Sequence, residues 1–194
     1  MDILQTQEHF KIPCVILAGG KSSRMGTDKA LLPFYEFSSL AKFQHHKLSK
    51  LFSTVYLSAK NNKFDFECNF LQDCDMANFS PLIALKSAIE ASDSDRVFII
   101  AVDYPFISQQ SITKLIQNET GHEIIIAKTI QNHNLCGIYT KKVLPKIDEL
   151  ITNNIHKIGY LISISDYKTI DFNDNDEFCN LNFKSQYDKI FSSY

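Results

Sequence analysis

A three-layer α/β fold with a mostly parallel central sheet is what this 194-residue chain predicts, on three observations. Short apolar, β-branched runs alternate with stretches of helical periodicity along most of its length, the pattern of repeated strand–helix–strand units. Residues 96–102 (Arg-Val-Phe-Ile-Ile-Ala-Val) form a near-continuous apolar run, as a central parallel strand covered on both faces does. Residues 12–17, followed by Gly19-Gly20 and a new helical pattern from Lys29, read as a buried strand, a glycine-rich turn and a helix start.

The elements follow in order. Residues 1–11 are polar and read as a loose extension. After the first strand, a short helix starts near Asp28 and is ended by Pro33. Ser38 is a candidate cap for a helix reaching Phe52, with Leu40, Phe43, Leu48 and Leu51 on one face. Its adjacent His45 and His46 point to different sides, so they read as surface or core residues rather than a metal pair. Residues 54–58 read as the second strand, 61–63 as a turn, and 67–71 as a strand running into the acidic loop Asp73-Cys74-Asp75. Pro81-Leu82 opens a helix ending near Ala91, since proline suits a first turn. Beyond the strand at 96–102 come Asp103-Tyr104-Pro105, a helix capped by Ser108, and strands at 123–127 and 132–140. A helix over 143–151, a short one over 155–162, a strand at 168–172 and a C-terminal helix complete a chain expected to fold as a single domain, 1–194.

Composition narrows the function. At 44% hydrophobic and 22% charged residues, with a formal net charge of −2, nothing draws the chain as a whole to nucleic acid or membrane. An anionic substrate must meet local cations, and Arg24 and Lys29 supply them. Five cysteines without a Cys-x-x-Cys pair argue for reduced thiols in a cytoplasmic protein, not a disulfide framework or a zinc site. The N-terminus carries Asp2 and Glu8 and no apolar core, so it does not read as a signal peptide, and no run reaches transmembrane length.

The chemistry gathers between Cys14 and Leu32. This stretch holds Gly19, Gly20 and Gly26 of six glycines in all, and Arg24 is one of two arginines. A strand, a glycine-rich loop and a helix start make an anion site, because free backbone N–H groups face the ligand and Lys and Arg add charge-assisted hydrogen bonds. The spacing fits neither the P-loop nor the Gly-x-Gly-x-x-Gly fingerprint. Asp73 and Asp75 are either turn residues or ligands at a strand end. Asp103, a carboxylate ending the central strand beside a proline, is placed to hold Mg²⁺ against phosphates, or is a turn aspartate.

Residues 17–29 (Leu-Ala-Gly-Gly-Lys-Ser-Ser-Arg-Met-Gly-Thr-Asp-Lys) closely resemble the signature of nucleotidyltransferases that couple an NTP to a phosphorylated acceptor. The Arg-Met-Gly-x-Asp-Lys form is most similar to that of the molybdenum cofactor guanylyltransferases, a MobA-like family. The resemblance implies a Rossmann-like nucleotidyltransferase fold and a nucleotide site of Leu17, Ala18, Gly19, Gly20, Lys29, Asp73 and Asp103. It implies catalytic roles for Arg24, Lys29 and Asp103, with Mg²⁺ as cofactor. Asp103 matches the family's metal-binding Asp-x-Pro step, and Asp73 an acidic position ahead of a Pro-Leu pair. Asn182, in Asn180-Leu181-Asn182, matches an Asn-x-Asn element and is either a neutral oxygen for metal or nucleotide or a turn asparagine. His133 matches a histidine that faces the acceptor, and is read equally as a residue bonding at the sheet edge. Ser80 and Ala84 replace two glycines of the family pattern, Asn134 a proline, and Phe183-Lys184 a Thr-Pro pair.

The implied reaction is transfer of GMP from GTP to the terminal phosphate of molybdopterin, with or without its molybdenum, with pyrophosphate released and a guanine dinucleotide formed. A phosphate monoester dianion is already a nucleophile, so no general base is needed. The implied partners are GTP, the molybdopterin acceptor and molybdoenzyme maturation proteins, with no nucleic acid, no membrane and a monomeric chain. The alternatives are a cytidylyl- or sugar-phosphate nucleotidyltransferase of the same superfamily, and a non-catalytic nucleotide-binding module.

Overall fold

The computed structural model describes residues 9–19, 27–73, 80–118, 121–181 and 186–187. Seven strands form one sheet: β1 (Cys14–Leu17), β2 (Val55–Ala59), β3 (Asn69–Gln72), β4 (Arg96–Ala101), β5 (Ile124–Lys128), β6 (Asn132–Thr140) and β7 (Tyr167–Asp171). Their order is β3-β2-β1-β4-β6-β5-β7. The block β3-β2-β1-β4 is parallel, β6 runs antiparallel to both its neighbours, and β5 pairs parallel with β7. The sheet is therefore mixed but mostly parallel.

Both faces are covered, which explains the continuous apolar strands. Along β1, Cys14 and Ile16 join one buried cluster while Val15 and Leu17 join the other, as a two-residue period requires. β4 divides likewise, with Phe98 and Ile100 on one side and Val97 and Ile99 on the other. The first face is covered by α1 (Leu40–Leu48) and α3 (Gln109–Gln117), the second by α2 (Pro81–Glu90), α4 (Leu144–Thr152) and α5 (Ile158–Ser163). Each fully buried Ile, Leu or Phe in these clusters contributes about 1.5–3 kcal/mol from the area it removes from water.

Several local expectations shift. Ser39, not Ser38, caps α1, its hydroxyl accepting from the Lys42 amide at 3.2 Å. That choice starts the helix at Leu40, so that Leu40 and Leu48 both point inward. α1 ends at Leu48 rather than Phe52, and Phe52 instead bridges to Phe10. The end of the supposed loose extension is thus anchored: the Phe10 amide donates to the Leu51 carbonyl at 2.8 Å, and the two phenyl rings lie 5.4 Å apart. The helix expected from Asp28 is one 3-10 turn, Lys29–Leu31. His45 is half-buried against Phe66 and His46 is exposed, so both are surface residues. The C-terminal helix lies largely outside the described residues.

β6 carries the least regular feature. Its pairing with β5 jumps from Gly137 opposite Ile126 to His133 opposite Ala127. The residues of β6 between them form a bulged arch outside the regular ladder with β5, and the Tyr139 hydroxyl donates to the carbonyl of Asn134 within it. A Cβ on Gly137 would lie 2.0 Å from the Ile125 carbonyl oxygen, so only glycine lets the two backbones meet where the regular ladder resumes.

Candidate active site

Strand order reverses between β1 and β4, and ligands of open α/β sheets bind at such a point, beyond the carboxyl ends of the strands. Leu17 and Ala101 are in register, so the residues after each emerge side by side. The Val102 amide donates to the Leu17 carbonyl at 3.0 Å, and the Ala18 amide to the Ser58 carbonyl at 2.9 Å. A cleft of about 280 Å³ opens there, edged by Gly19, Lys29, Lys60, Asp73, Ser80 and Asp103. Its apolar wall includes Leu17, Ala84 and Leu135, the last brought in by the arch of β6.

Each polar group is held from behind. Asp73 is 8% exposed; its Oδ1 accepts from the Ser58 hydroxyl at 2.7 Å, and its amide donates to the Ala59 carbonyl at 3.1 Å. Its Oδ2 lies where a Cβ on Gly19 would come within 3.3 Å, so the glycine leaves the carboxylate room beside the backbone. Asp28 caps the 3-10 turn, its Oδ1 accepting from the Ala30 amide at 3.1 Å, and this sets the direction in which Lys29 leaves the backbone. Lys29 Nζ donates to Asp103 Oδ2 at 2.5 Å, joining the 3-10 turn to the end of β4.

Asp103 is also 8% exposed, and its second oxygen, Oδ1, is buried with no hydrogen-bond partner among the described residues. The loop that carries it is fixed from α1: Gln44 Nε2 donates to the Tyr104 carbonyl at 2.8 Å and Lys47 Nζ to the Pro105 carbonyl at 2.7 Å. Burial pulls the Lys47 ammonium down to about 8, against the opposing pull of Glu177. On the other side the Leu181 amide donates to the Asp103 carbonyl at 3.0 Å.

Behind this loop lies a second polar cluster. The Tyr104 hydroxyl is 3.3 Å from His133 Nδ1, and His133 Nε2 is 2.9 Å from the Thr129 hydroxyl. Asn180 also hydrogen-bonds the Tyr104 phenol. Burial raises the phenol and lowers the imidazole, which favours the neutral form of each; a neutral imidazole donates through one ring nitrogen and accepts through the other, so Tyr104 and Thr129 take opposite roles towards it. The His133 ring lies 4.8 Å from that of Phe178 and is 2% exposed.

The structure therefore brings Leu17, Gly19, Lys29, Asp73 and Asp103 to one cleft. Ala18 is buried beside it, with its carbonyl turned to Lys63 Nζ at 2.9 Å. His133 is buried and does not edge the cleft, and β6 is an interior strand, so the sheet-edge reading of His133 does not hold. Gly20, Arg24, Asp75 and Asn182 lie outside the described residues. Sequence reasoning missed Lys60, Ser58 and Lys63. The available signal was position: Lys60 directly follows β2, which is parallel to β1 and ends at the same edge of the sheet.

Among the described residues, no three His, Cys, Asp or Glu side chains gather as a metal cage. A lone, buried, unpartnered carboxylate oxygen is nevertheless the hard donor that Mg²⁺ takes when substrate phosphates and water complete its shell, so Asp103 fits that ion.

Comparison with known proteins agrees with this geometry. The MobA-like NTP transferase domain matches residues 14–162. A molybdenum cofactor guanylyltransferase of Campylobacter jejuni subsp. doylei is 38% identical over 183 residues, 93% of this chain and 95% of that protein. One from Helicobacter pylori is 31% identical, over 91% and 90% of the two chains. The crystal structure of molybdopterin-guanine dinucleotide biosynthesis protein A from Archaeoglobus fulgidus superimposes with a TM-score of 0.79, covering 94% of this chain and 100% of that one at 17% identity, a likeness of fold. A domain match over most of the chain, together with relatives similar along nearly their whole length, means that the chain belongs to the MobA-like NTP transferase family.

Proposed function

We propose that the protein transfers GMP from GTP to the terminal phosphate of molybdopterin. The observation that carries the reading is the Lys29–Asp103 pair at the reversal of strand order, in a chain whose relatives bear the name molybdenum cofactor guanylyltransferase. The geometry supports nucleotidyl transfer; the names of the relatives supply the guanine and the acceptor.

In this reading the triphosphate lies across the mouth of the cleft and Lys29 leaves Asp103 to meet its oxygens, aided by Arg24. An acceptor phosphate oxygen forms a bond to the α-phosphorus while the bond from that phosphorus to the β-phosphate bridging oxygen breaks, and pyrophosphate departs with the electron pair. Asp103 and Asn182 would hold Mg²⁺, which when bound neutralises charge on the phosphates. Leu17, Ala18, Gly19, Gly20 and Asp73 bind the nucleotide, and the chain's own contribution is positioning and charge neutralisation rather than proton transfer. His133 acts from behind, through Tyr104, on the loop that bears Asp103. The protein is read as a cytoplasmic monomer. No helix among the described residues is long and apolar enough to cross a membrane.

The test is pyrophosphate release with Mg²⁺ and molybdopterin, comparing GTP, CTP and ATP. Release with GTP alone is expected. Release with CTP alone would move the protein to cytidylyl transfer and make Ser80 and Ala84, which line the cleft where the family pattern has glycines, the first positions to substitute. No release with any donor from protein that binds nucleotide would overturn the reading.

A further inference from the structure

Lys63 lies in the connection between β2 and β3 and does not edge the cleft. Its ammonium nevertheless reaches two acceptors that bracket the glycine-rich segment: the Ala18 carbonyl, at 2.9 Å, and the Asp28 carboxylate through Oδ2. The turn that presents it is fixed by Asn62, whose side-chain oxygen accepts from the Phe64 amide at 3.3 Å, and the ammonium lies 6.0 Å from the centre of the Phe64 ring. The side chains of Lys63 and Asp28 are only 23% and 34% exposed, so the pair is partly shielded from water.

Asp28 is doubly engaged. One carboxylate oxygen takes Lys63 and the other caps the 3-10 turn whose first residue is Lys29. The contacts form one path, from the end of β1 through Lys63 and Asp28 to the turn, and from Lys29 to Asp103 at the end of β4. We infer that Lys63 is a positioning residue for the triphosphate: by tying Ala18 to Asp28 it sets where Lys29 stands relative to β1. The inference deepens the nucleotidyl-transfer reading and rests on it. A misplaced cation costs affinity even when its charge is intact, because the ammonium no longer meets phosphate oxygens at hydrogen-bonding distance.

The experiment measures GTP binding without acceptor, steady-state pyrophosphate release and thermal midpoint for Lys63→Met, Lys63→Arg, Asp28→Asn and the Lys63→Met/Asp28→Asn double variant. Lys63→Met should weaken GTP binding and raise KM by about tenfold with kcat within about twofold, the signature of lost ground-state positioning. Lys63→Arg should recover binding to within about threefold, since a guanidinium also spans two acceptors. The double variant should bind no worse than the weaker single variant, because both changes break one contact. Unchanged GTP binding in Lys63→Met overturns the inference. So do a loss that follows a fall in thermal midpoint without recovery in Lys63→Arg, and additive effects in the double variant. Should Lys63→Met fail to fold, Asp28→Asn carries the same test, since its amide oxygen keeps the cap. A wild-type protein that binds CTP in place of GTP, with the same dependence on Lys63, overturns the donor assignment and leaves the inference standing.

Discussion

Two buried polar regions lie back to back across residues 103 and 104. On the cleft side Asp103 is 8% exposed and keeps one carboxylate oxygen without a partner among the described residues. On the far side His133 is 2% exposed and has both ring nitrogens engaged, one with Tyr104 and one with Thr129. Burial alone does not separate a reactive group from a structural one, because the two are nearly equally hidden. Satisfaction combined with position does: Gln44 Oε1 and Ser165 Oγ are also buried without a partner among the described residues, but of the three only Asp103 edges the cleft, where a ligand can offset the cost of desolvating a polar atom.

The comparison predicts opposite phenotypes on its two sides. The largest effect belongs to Asp103→Ala, which should lower pyrophosphate release by about 10³-fold or more while the far-UV spectrum stays native, because electrostatic groups at a transferring phosphate are worth that much. Full activity in that variant would remove Asp103 from the chemistry. Gly137→Ala should be the most damaging change to stability, lowering the unfolding free energy by about 3 kcal/mol or more, since the added Cβ meets the backbone oxygen of Ile125 rather than a movable side chain. A denaturation midpoint equal to wild type would show that the arch in β6 yields.

His133→Phe should cost about 1–3 kcal/mol by removing the buried bonds of the imidazole to Tyr104 and Thr129, with KM for the acceptor unchanged. A selective rise in acceptor KM would instead return His133 to the substrate side. The smallest effect concerns Lys47. Its folded-state value lies near 8, below the ordinary lysine value of 10.5, so between those pH values the unfolded chain binds more protons. Stability held back by this group below pH 8 is therefore regained as pH rises toward 10.5. Measured against Lys47→Met, the wild type should gain on the order of 1 kcal/mol across that window, after allowance for solvent screening. A difference that stays flat with pH would contradict the cause assigned to it.

What could be read from the sequence follows the range of the interactions involved. The β4 run is legible because a parallel strand covered on both faces needs apolar residues at every position, and Asp103 is legible because the run stops there. Gly19 stands out because glycine is scarce in this chain. The reversed direction of β6 leaves no local mark, since strand residues are chosen by burial and not by the sense of the neighbouring strand. The arch that delivers Leu135 to the cleft is equally silent until Gly137 is seen against Ile125. Lys63 looks like any turn lysine because its partners lie 45 and 35 residues away. Phe10 was hidden by the polar residues around it, though one aromatic ring is enough to anchor a strand end. Between Ser38 and Ser39, equal capping chemistry left the decision to the inward direction of Leu40 and Leu48.

The most direct test of the site is a crystal structure with GTP and Mn²⁺, the latter as an anomalous stand-in for Mg²⁺. The account predicts an anomalous peak at Asp103, the triphosphate over the ends of β1 and β4, and Lys29 turned from Asp103 to the phosphates. Nucleotide bound elsewhere, or a metal peak away from Asp103 with the Lys29–Asp103 pair intact, would contradict it.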